Sequence, residues 1–186
     1  MSFLAQLWIP IVVSAVLLFV MSSLIHMVFK WHNSDYHKLA NEDAVRDAIR
    51  AGNPAPGMYV IPYCQEMKDF KTPEVQKKFV DGPVGFVTLR PNGPPTMGKA
   101  LGLWFAFLLV VGVIAAYVSW KALGAASSFG SVARVVGALA FLAFAGGPLT
   151  RGIWMGQSAS SVAKEVLDAV IYAAIMGATF GWLWPR

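Results

Sequence analysis

The sequence predicts an all-α membrane fold: four transmembrane helices, with a small mixed α/β cytoplasmic insert between helices 1 and 2. Three observations carry this reading. Four runs are mostly apolar over about the 20 residues that a spanning helix needs. The seven tryptophans sit at the ends of those runs. Ten of the 15 basic residues and eight of the 10 acidic ones fall in one segment, residues 30–99. The chain therefore divides into a first helix (residues 1–29), an insert (30–99) and a three-helix portion (100–186).

The first span is residues 4–29, with Pro10 near its start, where a missing N–H costs little. It is expected to stay as a membrane helix, because no basic stretch precedes it and no A-x-A-like cleavage site follows. In the insert, Asn41-Glu42-Asp43 reads as an N-cap with acids in the first turn and Gly52 as a stop, predicting a helix over 42–51. Thr72-Pro73-Glu74 starts a second helix that ends at Asp81-Gly82. Residues 58–63 and 85–89 are rich in β-branched and aromatic side chains and are expected to pair as a small sheet. Asn92-Gly93-Pro94-Pro95 is a rigid turn leading to the second span, residues 100–120. The third span is residues 131–147, carrying Arg134 and closed by Gly146-Gly147-Pro148, where a re-entrant segment is the alternative. The fourth is residues 166–184.

The indole ring is greasy with one N–H donor, so Trp8, Trp31, Trp104, Trp120, Trp154, Trp182 and Trp184 are expected to anchor the helix ends in the headgroup region. With four spans both termini share a face, which carries only Lys121, Arg134 and Arg186; the other twelve basic residues lie opposite. Positive charge stays inside, so the insert is expected in the cytoplasm and both termini in the periplasm.

Hydrophobic residues make up 56% of the chain and charged residues 13%, which excludes an ordinary soluble domain. The net charge of +5 forms no basic stripe, so nucleic acid is not an expected partner. Cys64 is the single cysteine and allows no intrachain disulfide. No nucleophile motif, phosphate loop, HExxH or pocketed carboxylate pair is present, so no catalytic residue is assigned and no enzyme is expected.

Inside a bilayer helices associate where small residues let backbones approach. Ala169, Ala173, Gly177 and Gly181 recur every four residues, as do Gly112 and Ala116, and are expected either to pack the bundle or to dock a partner subunit. His26 lies near the cytoplasmic end of the first span on one face with Ser22 and Ser23. Such a group could ligate a metal, a haem iron or a chlorophyll magnesium, although an interfacial, hydrogen-bonded histidine explains it as well. His32, Asp35 and Tyr36 share a face if that helix continues and could ligate a metal; a solvated capping cluster is the plainer expectation, and no metal or cofactor is assigned. Lys164 and Asp168 are four apart and expected to pair along the fourth helix. No charge lies at the centre of a span, which counts against a proton-coupled transporter.

The stretches IHMVFKWHNSDYHKL, NEDAVRDAI, KKFVDGPVGFVTLRPNGPPTMGKAL, WFAFLLVVGVIAAYV and VLDAVIYAAIMGATFGWLWP together resemble a group of uncharacterised bacterial four-span inner-membrane proteins. That resemblance implies a bacterial plasma-membrane location and no particular activity. The leading expectation is a non-enzymatic accessory or scaffold subunit of an energy-converting complex, respiratory or photosynthetic. Its partners would be the lipid bilayer and other membrane subunits or further copies of itself. The alternatives are a small oligomeric transporter or channel, with His26, Arg134 or Asp168 in its path, and a metal- or tetrapyrrole-binding protein using His26, His32 and Asp35.

Overall fold

A computed structural model describes residues 3–185; Met1, Ser2 and Arg186, the last counted above for orientation, lie outside the described residues. The chain forms two units, a helical unit running to Tyr36 and resuming at Thr96, and an insert, His37–Pro95.

Helix α1 (Phe3–Ser23) passes into one π-helical turn (Leu24–Phe29) and then a 3₁₀ turn (Trp31–Asp35). The helical unit continues with α4 (Met97–Leu123), α5 (Phe129–Met155) and α6 (Ala159–Trp182). Among the described residues three helices are long and apolar enough to cross a membrane, α1 with its π turn, α4 and α5; α6, where the sequence predicts the fourth span, is not one of them. Helix α6 carries Lys164, Glu165 and Asp168 in its first half and buries ten residues against its neighbours. Leu7, Leu18, Leu108, Val136, Met176 and Phe180 fill the core, while Val16, Val110, Ile114, Leu142 and Val170 point outward. A helix apolar on both its buried and its outer face suits a bilayer, where outward leucine and valine meet hydrocarbon.

Three boundaries differ from the sequence reading. The helical unit reaches Tyr36, not residue 29, because the 3₁₀ turn packs on α6. Helix α5 continues through Gly146-Gly147-Pro148 as one helix to Met155, where the sequence closes the span at residue 147. Proline removes the N–H that would have donated to the Phe144 carbonyl, and the helix continues regardless; one turn on, the Thr150 hydroxyl donates to the carbonyls of Gly146 (3.1 Å) and Gly147 (2.8 Å). The stop is Gly156, in the left-handed region at φ 70°. Helix α6 starts earlier than residue 166, at Ala159, because Ser158 caps it by accepting from the Ser161 N–H.

The insert contains α2 (Glu42–Ala51), β1 (Gly57–Ile61), a 3₁₀ turn (Met67–Lys71), α3 (Pro73–Asp81) and β2 (Gly85–Leu89). The strands are antiparallel, with Tyr59 opposite Val87. Both helices fall on the predicted ranges and the strands within a few residues of theirs. The caps differ: the Asn41 side chain makes no capping bond, and Asn53, not Gly52, takes the left-handed conformation after α2.

Candidate functional site

The predicted packing seam lies inside the molecule. A Cβ on Gly177 would sit 2.7 Å from the Ala133 carbonyl oxygen, and one on Gly181 would meet the Phe129 ring at 2.8 Å. Ala169 and Ala173 are buried. Gly112 faces Ile11 of α1, and Ala116 is fully buried. These residues let α6 approach α5, and α4 approach α1, to backbone contact.

The tryptophans divide into two sets. Trp8, Trp154 and Trp182 are exposed on the helical unit, as lipid anchors require. Trp104, Trp120, Trp184 and Trp31 pack inward. The Trp104 Nε1–H donates to Ser22 Oγ (3.0 Å), and the Trp184 Nε1–H donates to the Gly124 carbonyl (3.0 Å). Their polar tips are satisfied by protein rather than by headgroups.

The polar residues flagged at the end of the first span converge on α6. His32 is 9% exposed and Asp168 5%. The Nδ1 of His32 lies 2.9 Å from Asp35 Oδ2 and its Nε2 lies 2.8 Å from Asp168 Oδ2. Lys164 Nζ donates to Asp35 Oδ1 and Ser34 Oγ, each at 2.7 Å. Lys164 and Asp168 therefore do not pair with each other; each reaches across to the 3₁₀ turn. His32 and Asp35 are not a solvated cap, and Tyr36, exposed, takes no part. The Lys164 ammonium, helped by His32, holds the Asp35 carboxyl below its usual value against the opposing cost of desolvation.

His26 completes the cluster. Its ring stacks on His32, with centroids 4.9 Å apart and planes 10° from parallel. Six residues advance an α-helix by about 600°, which would leave the two rings on different faces. The π turn, and Lys30 in the left-handed region at φ 55°, bring them together. Both irregularities are costly and recur at functional sites. The His26 Nδ1–H donates to the Ser22 carbonyl at 2.9 Å, leaving Nε2 free.

Three ligand atoms, one each from His26, His32 and Asp168, lie within 4.8 Å of one another. Asp168 Oδ1 and Trp31 Nε1 are both buried and neither makes a well-formed hydrogen bond, but the indole N–H lies close enough to act on the Asp168 carboxylate. A second network, Arg151–Glu165–Gln157–Ser161, ties the end of α5 to the start of α6 and is partly exposed. Two crevices stand out among the described residues, one between α5 and α6 beside Arg134 and one in the insert beside Cys64. Neither is lined by a residue of the histidine cluster.

The sequence offers His26, His32 and Asp35 only as possible ligands, beside plainer polar roles, and sets Asp168 apart, paired with Lys164 along its helix. One signal was available: two polar pairs, His32/Asp35 and Lys164/Asp168, stand at the same predicted end of two spans.

No family model matches the chain, and no curated protein or solved structure is significantly similar to it. The reading of function rests on the geometry.

Proposed function

We propose that the chain is a non-enzymatic, four-span protein of a bacterial inner membrane, with α6 as the fourth span, whose work is to bind a small ligand at the His26–His32–Asp168 centre. The insert is cytoplasmic and both termini are periplasmic, by the distribution of Lys and Arg. One observation supports the binding role above all. A buried imidazole is bracketed by two carboxylates where apolar packing would stabilise as well or better. A strained stretch of backbone holds a second histidine against it.

Native mass spectrometry of the gently extracted protein tests this. The chain is expected to carry a small bound species that His32→Ala lacks. A bare polypeptide mass from the native membrane would count against it. Labelling of Cys64 from outside intact cells would reverse the orientation.

An accessory-subunit role keeps one supporting observation of its own. The seam is used within the bundle, but the insert's sheet exposes Met58, Val60, Ile61 and Phe86. A partner would dock there, and co-purification with a stoichiometric subunit, lost when Val60 and Phe86 are changed to Ser, is the expected sign.

A further inference from the structure

We infer that the ligand of this centre is a divalent first-row transition metal ion, held by Nε2 of His26, Nε2 of His32 and the carboxylate of Asp168. The inference rests on reading the centre as a binding site and names what it binds.

The donor set decides the class. Two imidazoles and one carboxylate suit zinc, iron or cobalt, whereas calcium and magnesium take oxygen ligands. Each ring is hydrogen-bonded from behind through its Nδ1. His26 Nδ1–H donates to the Ser22 carbonyl and His32 Nδ1 faces Asp35 Oδ2, so both Nε2 atoms are the ones left for a metal. A ligating histidine almost always has its other nitrogen held this way, by a carbonyl or carboxylate. Asp35 is thus a positioning residue, itself held by Lys164.

Ligands about 2.0–2.1 Å from one metal stand about 2.8–3.4 Å apart, from right-angled to tetrahedral geometry; His32 Nε2 and Asp168 Oδ2, at 2.8 Å, stand at the short end of that span, and the three ligand atoms together spread over up to 4.8 Å, so a metal draws His26 inward. In the metal-free protein one proton must lie between those two acceptors, since His32 Nδ1 already needs its own proton to donate to Asp35. Metal entry displaces that shared proton to water, and the Nε2 and Oδ2 lone pairs become metal bonds. His26 is exposed, and closing the remaining gap turns its ring out of the stack on His32. The Asp168 carboxylate, on a residue buried to about nineteen-twentieths, has the Trp31 indole N–H beside it as well as His32.

A purely structural network offers the rival account, and His26 separates the two. The His32–Asp168 hydrogen bond does not need the His26 Nε2; a metal site does. Untagged, chelator-stripped protein in detergent is titrated with Co²⁺ and followed by its visible d–d absorption. One equivalent per chain is expected to bind, displaced by Zn²⁺. His26→Ala and Asp168→Asn are expected to abolish the bands, with His26→Ala keeping the parent melting temperature in the absence of metal. Asp35→Asn is expected to weaken binding by about 10–100-fold and to shift the bands. His37→Ala, at the remaining histidine, is expected to bind as the parent does. Absence of saturable binding, or binding that survives His26→Ala, would overturn the inference. If cobalt fails to bind while the native protein still carries a small species removed by His32→Ala, the metal is wrong and the binding role stands. If both fail, both fall.

Discussion

The helical unit and the insert follow different rules. In α5 and α6 the backbones touch, and a single Cβ at Gly177 has no room. In the insert no residue of α2, β1, α3 or β2 is fully buried. The helical unit owes its form to tertiary packing and to a few long-range polar bonds. The insert owes its form to local signals: Pro73 in the first turn of α3, acids at the start of α2, β-branched strands. A two-stranded sheet is marginal alone, so the insert is expected to open at lower free energy than the helical unit.

Substitutions on either side of this divide should differ sharply in cost. His32→Ala strands Asp168 as a buried charge and is expected to cost about 3–5 kcal/mol, read from unfolding in mixed detergent micelles. Replacing both residues, as in His32→Leu with Asp168→Leu, is expected to recover most of that loss, since apolar packing replaces buried ion pairs well. A double variant as unstable as the single one would show that the pair is kept for the fold. Gly177→Leu comes next, at about 3 kcal/mol from overpacking, seen as loss of the folded band in the same titration. Lys164→Met removes the partner of Asp35 and is expected to lower stability by less than either, because Lys164 is partly exposed. Val80→Ala, at a residue 83% exposed in α3, is expected to stay within about 0.5 kcal/mol. A large effect at Val80 would break the comparison by revealing a partner over the insert.

The same divide governs how much was legible in the sequence. The insert could be read almost residue by residue, because its punctuation is local: Thr72-Pro73-Glu74 starts a helix whatever surrounds it. The existence of three long apolar helices was equally plain from hydropathy. What those helices bury was not. All faces are apolar, so the inward face of α1 or α4 cannot be told from its periodicity. Pro148 reads as a stop, yet the helix continues past it to Met155. Trp104 and Trp184 read as anchors, yet their N–H groups point into the bundle. The candidate site was half legible. His26, His32 and Asp35 stood out by their types, but the bond from His32 to Asp168 spans 136 positions and exists only because α6 packs beside the 3₁₀ turn. The π turn and the left-handed Lys30 that stack the two rings have no signature in the sequence.

The most direct test of why a bundle of apolar helices keeps these polar groups inside is the response of its thermal stability to zinc. Stripped parent protein and His26→Ala are melted with and without Zn²⁺ in the same detergent. At zinc about 100-fold above the dissociation constant, the parent is expected to gain about 2.7 kcal/mol, and His26→Ala is expected to gain nothing. An equal gain in both, or no gain in the parent, would contradict the account.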